Sequence, residues 1–194
     1  MIYIIRHGQT AGNKANVLQG RGSNHPLNEQ GILQVHLAGR WFREHDIRID
    51  QVYSSPLTRA VQTAKLITDR PVITDVRLTE MDYGPYEGTD LKNLPQELKI
   101  FFSDFSRNPA PRGMEPLSEV VARMGRFLEE IREEAQHKTI LISTHAIAMK
   151  GALEYLTPAS GGRWWSQYIG NCAVFAVDIN PDGTYAVPVE IKTA

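Results

Sequence analysis

Apolar residues recur along this chain in two rhythms. Short continuous runs of β-formers, Ile2-Tyr3-Ile4-Ile5 and Thr139 to Ser143, predict buried strands that end at Arg6-His7-Gly8 and at Thr144-His145. Val52-Tyr53 and Pro71-Val72-Ile73-Thr74 predict two further short strands. Between them the apolar positions move to helical spacing. Asn28 is placed to cap a helix running to about His45, with Val35, Ala38, Trp41 and Phe42 on its inner face. Ser55 and Pro56 suit the cap and first position of a second helix, which Leu57, Ala60, Val61, Ala64 and Ile67 hold on the core. A strong amphipathic helix spans 117–135, with Val120, Met124, Phe127 and Ile131 inward, and another helix follows His145. Late strands near 172–178 and 185–191 are joined through the turn Asn180-Pro181-Asp182-Gly183.

Two stretches lack either rhythm. Residues 8–26 carry Gly8, Gly12, Gly20 and Gly22 and predict a loop. Residues 84–115, rich in Pro and Gly around Ile100-Phe101-Phe102, predict a small, partly helical cap inserted over a site. The alternation of strand and helix predicts an α/β fold of three αβα layers on a mostly parallel sheet. The 194 residues suit one domain, 1–194, with no internal repeat or linker. Ligands of such sheets bind outside the carboxyl ends of the strands, and His7 and His145 both follow such an end.

Composition narrows the function classes. Hydrophobic residues make up 42% and charged residues 22%, an ordinary globular balance. No apolar run approaches the ~20 residues that span a bilayer. The N-terminus reads straight into Arg6-His7 without a signal-peptide pattern. One cysteine, Cys172, excludes an internal disulfide framework and a cysteine metal cage. The expectation is therefore a cytoplasmic protein with no membrane partner. A net charge of -1 argues against nucleic acid as a partner but leaves small anions open. His25, His36, His45 and His137 give no convincing metal spacing, so neither a metal nor a cofactor is expected. Cys172 reads as a buried small hydrophobe. Of Trp164 and Trp165, at least one reads as core, and Phe101, Phe102 and Phe105 are candidates for the walls of a substrate entrance. A two-fold homodimer is the statistical default for the assembly.

Four elements carry candidate chemistry. In Arg6-His7-Gly8, with Asn13 beyond, a neutral imidazole could act as nucleophile. Gly8 would let the backbone approach, with Arg6 and Asn13 gripping phosphate oxygens. The same tripeptide also suits a plain turn. Arg59 lies near the edge of a helix's core face, as a second phosphate clamp or a solvated arginine. In Leu78 to Gly88, Glu80 could be a general acid, with Asp82 and Glu87 as rivals. His145 could satisfy itself in the core, or donate to a transferring phosphoryl group beside the amide of Ala146 at a helix N-terminus. Two arginines, a donor histidine and a helix end can neutralise that group without Mg²⁺.

In this order the elements resemble the histidine phosphatase superfamily, also called phosphoglycerate mutase-like. The likeness rests on Arg6-His7-Gly8, Pro26 to Gly31, Ser54 to Ala64, Leu78-x-Glu80 with Glu87-Gly88, and Ser143-Thr144-His145. It implies that His7 is phosphorylated and that Glu80 donates and later accepts the proton. It further implies that Arg6, Asn13, Arg59 and His145 form the phosphate pocket and that Gln19-Gly20 lies over the substrate. Two departures bear on the reaction. Ala146 stands where members commonly have Gly, and the cap carries only isolated Arg107 and Arg112 in place of the arginine pair of the glycolytic mutases. The resemblance therefore implies a phosphomonoesterase acting on a small phosphorylated metabolite, with water as acceptor. A cofactor-dependent phosphoglycerate mutase and a catalytically silent phospho-ligand binder are the alternatives.

Overall fold

A computed structural model describes residues 1–193. Strand β1 (Ile2–Arg6) leads to a short helix α1 (Ala11–Lys14), then α2 (Glu29–Glu44), β2 (Gln51–Ser54), α3 (Thr58–Ile67) and β3 (Val72–Thr74). After the cap helix α4 (Gln96–Ser103) come α5 (Leu117–His137), β4 (Ile140–Thr144), α6 (Ala146–Leu156), α7 (Arg163–Ser166), β5 (Val174–Val177) and β6 (Val189–Ile191). The six strands form one sheet in the order β3-β2-β4-β1-β5-β6. β3, β2, β4 and β1 run parallel, and β5 is antiparallel to both its neighbours. The fold is thus the expected three-layer α/β arrangement.

The continuous apolar runs have a simple cause. Successive side chains of a strand point to opposite faces, so a strand covered on both sides must be apolar at every position. Ile2, Ile4, Ile140 and Ile142 pack with α5 and α6 through Met124, Phe127, Leu128 and Leu153. Tyr3, Ile5 and Leu141 pack on the other face with Val35, Ala38 and Phe42 of α2 and Ile67 of α3.

The first helix boundary falls where Asn28 predicts it. Its Oδ1 accepts from the Gly31 amide at 2.8 Å, while its Nδ2 donates to Gln9 Oε1 and to the Thr10 carbonyl. One side chain therefore caps α2 and ties it to the segment after His7. The close approach requires glycine at 31, because a Cβ there would collide with the Gln9 carbonyl.

Two sequence expectations are corrected. Residues 8–26 are not all loop: Thr10 caps α1 through a reciprocal bond with Asn13. The second long helix does not start at Pro56 under a Ser55 cap. It starts at Thr58, with Leu57 in the cap position and no side-chain bond there. Ser55 still accepts from the Leu57 amide, but its hydroxyl also reaches His145, and that contact holds residues 55–57 out of the helix. The inner face of α3 also differs, with Arg59 and Thr63 buried and Val61 only half-buried.

Replacing the cap tests the tie between α2 and the His7 segment. Asn28→Ala should lower the unfolding free energy by about 1–2 kcal/mol in urea denaturation. Asn28→Ser, which keeps a capping acceptor and loses the donor, should cost less. Equal losses would mean that the cap bond contributes little.

Candidate active site

The β1–β4 register builds the centre of the site. Arg6 pairs with Thr144, so the next residues on each strand, His7 and His145, emerge side by side at the carboxyl edge. Their rings sit edge to face with centroids 5.1 Å apart. β2 ends level with them, because Ser54 pairs with Ser143, and this brings Ser55 to His145.

His7 is buried, and its Nδ1 lies 2.7 Å from the Gly8 carbonyl. A carbonyl only accepts, so Nδ1 carries the proton and Nε2 keeps its lone pair. Burial, followed by the charges of Arg6 and Arg59, holds the imidazole well below the usual histidine range. The ring is therefore neutral near pH 7 and presents a free nucleophilic nitrogen.

His145 is fully buried and likewise held well below the usual range, by desolvation first and then by Arg59, His7 and Arg6. Its Nε2 lies 2.8 Å from Ser55 Oγ. That oxygen already accepts from the Leu57 amide, and its own proton is free to point at Nε2. In this arrangement the ring proton sits on Nδ1, which is buried and has no partner among the described residues.

Four buried side-chain atoms lack a hydrogen-bond partner among the described residues: Arg6 Nε, Gln19 Nε2, Arg59 Nε and His145 Nδ1. All four are nitrogens, and all belong to residues singled out from the sequence. The rest of each side chain is fixed. Arg6 Nη1 donates to the Ile169 carbonyl at 2.6 Å, and Gln19 Oε1 accepts from Thr10 Oγ1. Arg59 donates through Nη2 to the Gly20 carbonyl at 3.1 Å and through Nη1 to the Ser23 carbonyl. Asn13 spends its Oδ1 on Thr10 and Asn171, leaving its amide nitrogen unpaired among the described residues. Arg59 is thus no solvated arginine; it is completely buried.

The three carboxylate candidates separate by what they touch. Glu80 is buried, and its oxygens accept from the amides of Met81, Ile147 and Ala148. It lies at the N-terminus of α6 and pairs with amides that the first turn of the helix leaves free. The helix end thus serves Glu80 as well as any substrate, and Ala146, half-buried at the first helical position, leads into the bonded amides. Glu87 instead receives Gly20 N, Gly22 N and Ser23 Oγ, which fixes the 20–23 loop. Asp82 closes its own turn by accepting from Gly84 N.

Several supporting residues escaped the sequence reading. Buried Arg123 donates to Glu115 and to the carbonyls of Arg77 and Thr79, and Glu115 accepts from Asp82 N. This pair sets the path of the chain on both sides of Glu80. Asn171 donates to the His7 carbonyl, and Thr63 Oγ1 accepts from Gly8 N. Lys150 lies in the otherwise apolar stretch Ile147 to Leu153 of α6, a signal that the sequence did carry. By contrast His25, His36, His45 and His137 are exposed. Cys172 is buried, and desolvation pushes its thiol up to about 12. No helix among the described residues is long and apolar enough to cross a membrane.

A strand edge that gathers two neutral histidines, two arginines and a helix-capping glutamate has the groups to bind and neutralise a phosphoryl group. The family model of the histidine phosphatase superfamily, branch 1, matches residues 2–191, and the chain belongs to that superfamily. A probable phosphoglycerate mutase of Yersinia pestis is 33% identical over 186 residues, 91% of this chain and 84% of that protein. The fructose-2,6-bisphosphatase TIGAR of Xenopus tropicalis is 39% identical over 136 residues, 65% of this chain and 47% of its own. The phosphoserine phosphatase of Entamoeba histolytica, solved in complex with 3-phosphoglyceric acid, superposes with a TM-score of 0.81 at 25% identity, covering 98% of this chain and 94% of that one.

The depressed histidines make stability depend on pH in a defined sense. Below about 6.5 the unfolded chain binds protons at His7 and His145 that the folded protein refuses. Stability from these groups is complete above that pH and falls as the pH drops, by up to ~1.4 kcal/mol per pH unit for each histidine. Urea unfolding between pH 5 and 7 should show this slope, and His7→Gln should remove about one proton's share. An unchanged slope in that variant would mean that His7 is protonated in the folded state.

Proposed function

We propose that the protein is a metal-independent phosphomonoesterase that works through a phosphohistidine on His7. The observation that carries this reading is a neutral His7 imidazole with the His145 ring 5.1 Å away and the charges of Arg6 and Arg59 acting on it, in a site where four buried nitrogens lack partners among the described residues. A buried donor without a partner costs roughly 1–3 kcal/mol, and a phosphoryl group returns that cost by accepting from all four. Arg6 and Arg59 supply the positive charge, so the neutralisation that a metal provides elsewhere comes from the chain itself.

The steps follow from the positions of the protons. The phosphate of the substrate lies between the arginines, with the amides of Gln19 and Asn13 and Nδ1 of His145 on its oxygens. Glu80 enters the cycle protonated, because a phosphate dianion bound beside it disfavours a second negative charge there. The lone pair on His7 Nε2 attacks phosphorus as the bond to the leaving oxygen breaks, and Glu80 gives its proton to that oxygen. The alcohol departs and the phosphoryl group stays on Nε2. The Gly8 carbonyl, bonded to Nδ1, steadies the positive charge that the ring gains. Water then attacks phosphorus, Glu80 takes its proton, and inorganic phosphate leaves with His7 neutral again. Gly20 serves through its backbone, since its carbonyl orients Arg59 and its amide is held by Glu87.

Water is preferred to a second hydroxyl as acceptor because Arg107 and Arg112 are both exposed and offer no paired grip inside the cap. Hydrolysis of p-nitrophenyl phosphate in excess EDTA is the direct test. Wild type should turn over and form an acid-labile phosphoenzyme, and His7→Ala should abolish both. Glu80→Gln should slow turnover by roughly 10²–10⁴-fold and remain folded. Isomerised phosphoglycerate in place of free phosphate would identify a mutase. Binding without turnover would identify a silent phospho-ligand receptor.

A further inference from the structure

A cavity of about 530 Å³ lies between the cap and the segment that follows α6. Phe102 and Phe105 wall it on the cap side, with Trp165, Gln167 and Tyr168 opposite and Lys150 on its lining. Nothing in the chemistry described above uses it. Its lining includes none of the candidate site residues, but Lys150 connects it to them. Lys150 lies within the electrostatic reach of both Glu80 and Arg6, and Arg6 is anchored on the carbonyl of Ile169, next to Tyr168 on the wall. Lys150 is also on the same helix, two residues beyond the Ala148 amide that binds Glu80.

Lys150 is only 8% exposed, an uncommon position for a lysine. Its Nζ donates to the Trp165 carbonyl at 2.8 Å and lies 5.2 Å from the centroid of the Phe105 ring. An ammonium has three donors, so one bond and one ring face leave hydrogen-bonding capacity in hand. The other charges on the cavity wall are Arg163 and Asp104. Arg163 is exposed and stacked on Trp164, and Asp104 is committed to Ser106 and Arg107. The cap arginines, Arg107 and Arg112, are not on the lining. Lys150 is therefore the one buried cation among the described lining residues.

We propose that this cavity receives the leaving alcohol of the substrate and that Lys150 reads a second anionic group carried on it. The inference rests on the phosphomonoesterase reading above. With the phosphoryl group at His7 and the leaving oxygen at Glu80, the remainder of the substrate extends past Glu80 toward Lys150. Phe102, Phe105 and Trp165 exclude water around that contact, which strengthens an ion pair made there. Burial pushes the Lys150 ammonium down to about 8, so it stays mostly charged near neutrality and gains from an anionic partner. The second anion is a carboxylate or a further phosphate. A lysine is a point charge without a planar fork and serves either.

Paired substrates that differ only in that group test the assignment. 3-Phosphoglycerate against glycerol 3-phosphate varies a carboxylate, and fructose 1,6-bisphosphate against fructose 6-phosphate varies a phosphate. Wild type should favour the partner that carries the second anionic group, in one pair, by roughly 10- to 100-fold in kcat/KM. Which pair responds tells carboxylate from phosphate. In Lys150→Met that ratio should collapse toward one, and in Lys150→Arg most of it should survive. The ratio in wild type decides alone if Lys150→Met does not fold. Equal use of both partners in both pairs by wild type, or a ratio unchanged in Lys150→Met, overturns the proposal. Hydrolysis of p-nitrophenyl phosphate but of none of the four esters also overturns it, while the phosphatase reading stands. Failure on p-nitrophenyl phosphate as well removes both.

Discussion

The parallel pairing of β1 with β4 is the constraint from which the site follows. Two short apolar strands, buried on both faces, lock into one register because a slip of one residue would move every side chain to the wrong layer. That register brings Arg6 opposite Thr144 and leaves His7 and His145 no choice but to emerge together. The neighbouring pairing of β2 with β4 adds Ser55, and α3, which follows, carries Arg59 under the 20–23 loop. The positions of the reactive groups are thus set by core packing rather than by the loops that bear them, and core packing is the stiffest part of a protein.

This rigidity has a thermodynamic counterpart. The site holds one buried arginine, Arg59, a half-buried one, Arg6, and two neutral imidazoles, and several of their nitrogens lack partners among the described residues. None of this stabilises the fold. The offset is spread across the surrounding bonds: Asn28 to the His7 segment, Glu87 to the 20–23 loop, and Arg123 with Glu115 to the Glu80 segment. Each of these residues holds a backbone in place so that a reactive side chain keeps one rotamer. Pre-organisation of this kind means that little reorganises when charge moves during phosphoryl transfer.

The sheet, the long helices and the candidate residues that meet at the strand edge were legible in the sequence, for different reasons. Strands buried on both faces and helices buried on one leave periodic signatures, and Asn28 leaves a cap signature. The pocket was legible as an ordered set of motifs. Arg59 is instructive: helical spacing put it at the edge of the core face, whereas the structure buries it completely. Its burial depends on carbonyls of the 20–23 loop, more than thirty residues away, which no local pattern encodes. The same limit hid the partnership of Ser55 with His145. Ser55-Pro56 reads locally as a helix start, but a bond to a residue ninety positions on competes with it and prevails. The choice among Glu80, Asp82 and Glu87 was open for the same reason, since only the approach of α6 separates them. Lys150 differs. A lysine within an apolar helical run was visible as an anomaly, and what it faces needed the fold.

The identity of the acceptor turns on how the cavity meets solvent. An enzyme that passes phosphate to a second hydroxyl must keep water from the phosphohistidine until that hydroxyl is in place, which calls for a closed, well-gripped chamber. Here the two arginines of the cap point to solvent, and the cavity wall includes Tyr168, which is 83% exposed, and the exposed Arg163. Once the alcohol leaves such a cavity, water replaces it. Among the described residues Lys150 is the one buried cation on the lining, which on the proposed reading would orient a substrate but not retain an intermediate while its partner is exchanged. On the proposed reading, the wall that would recognise the leaving group also favours water as the next acceptor, so specificity and hydrolysis would follow from one feature of the fold.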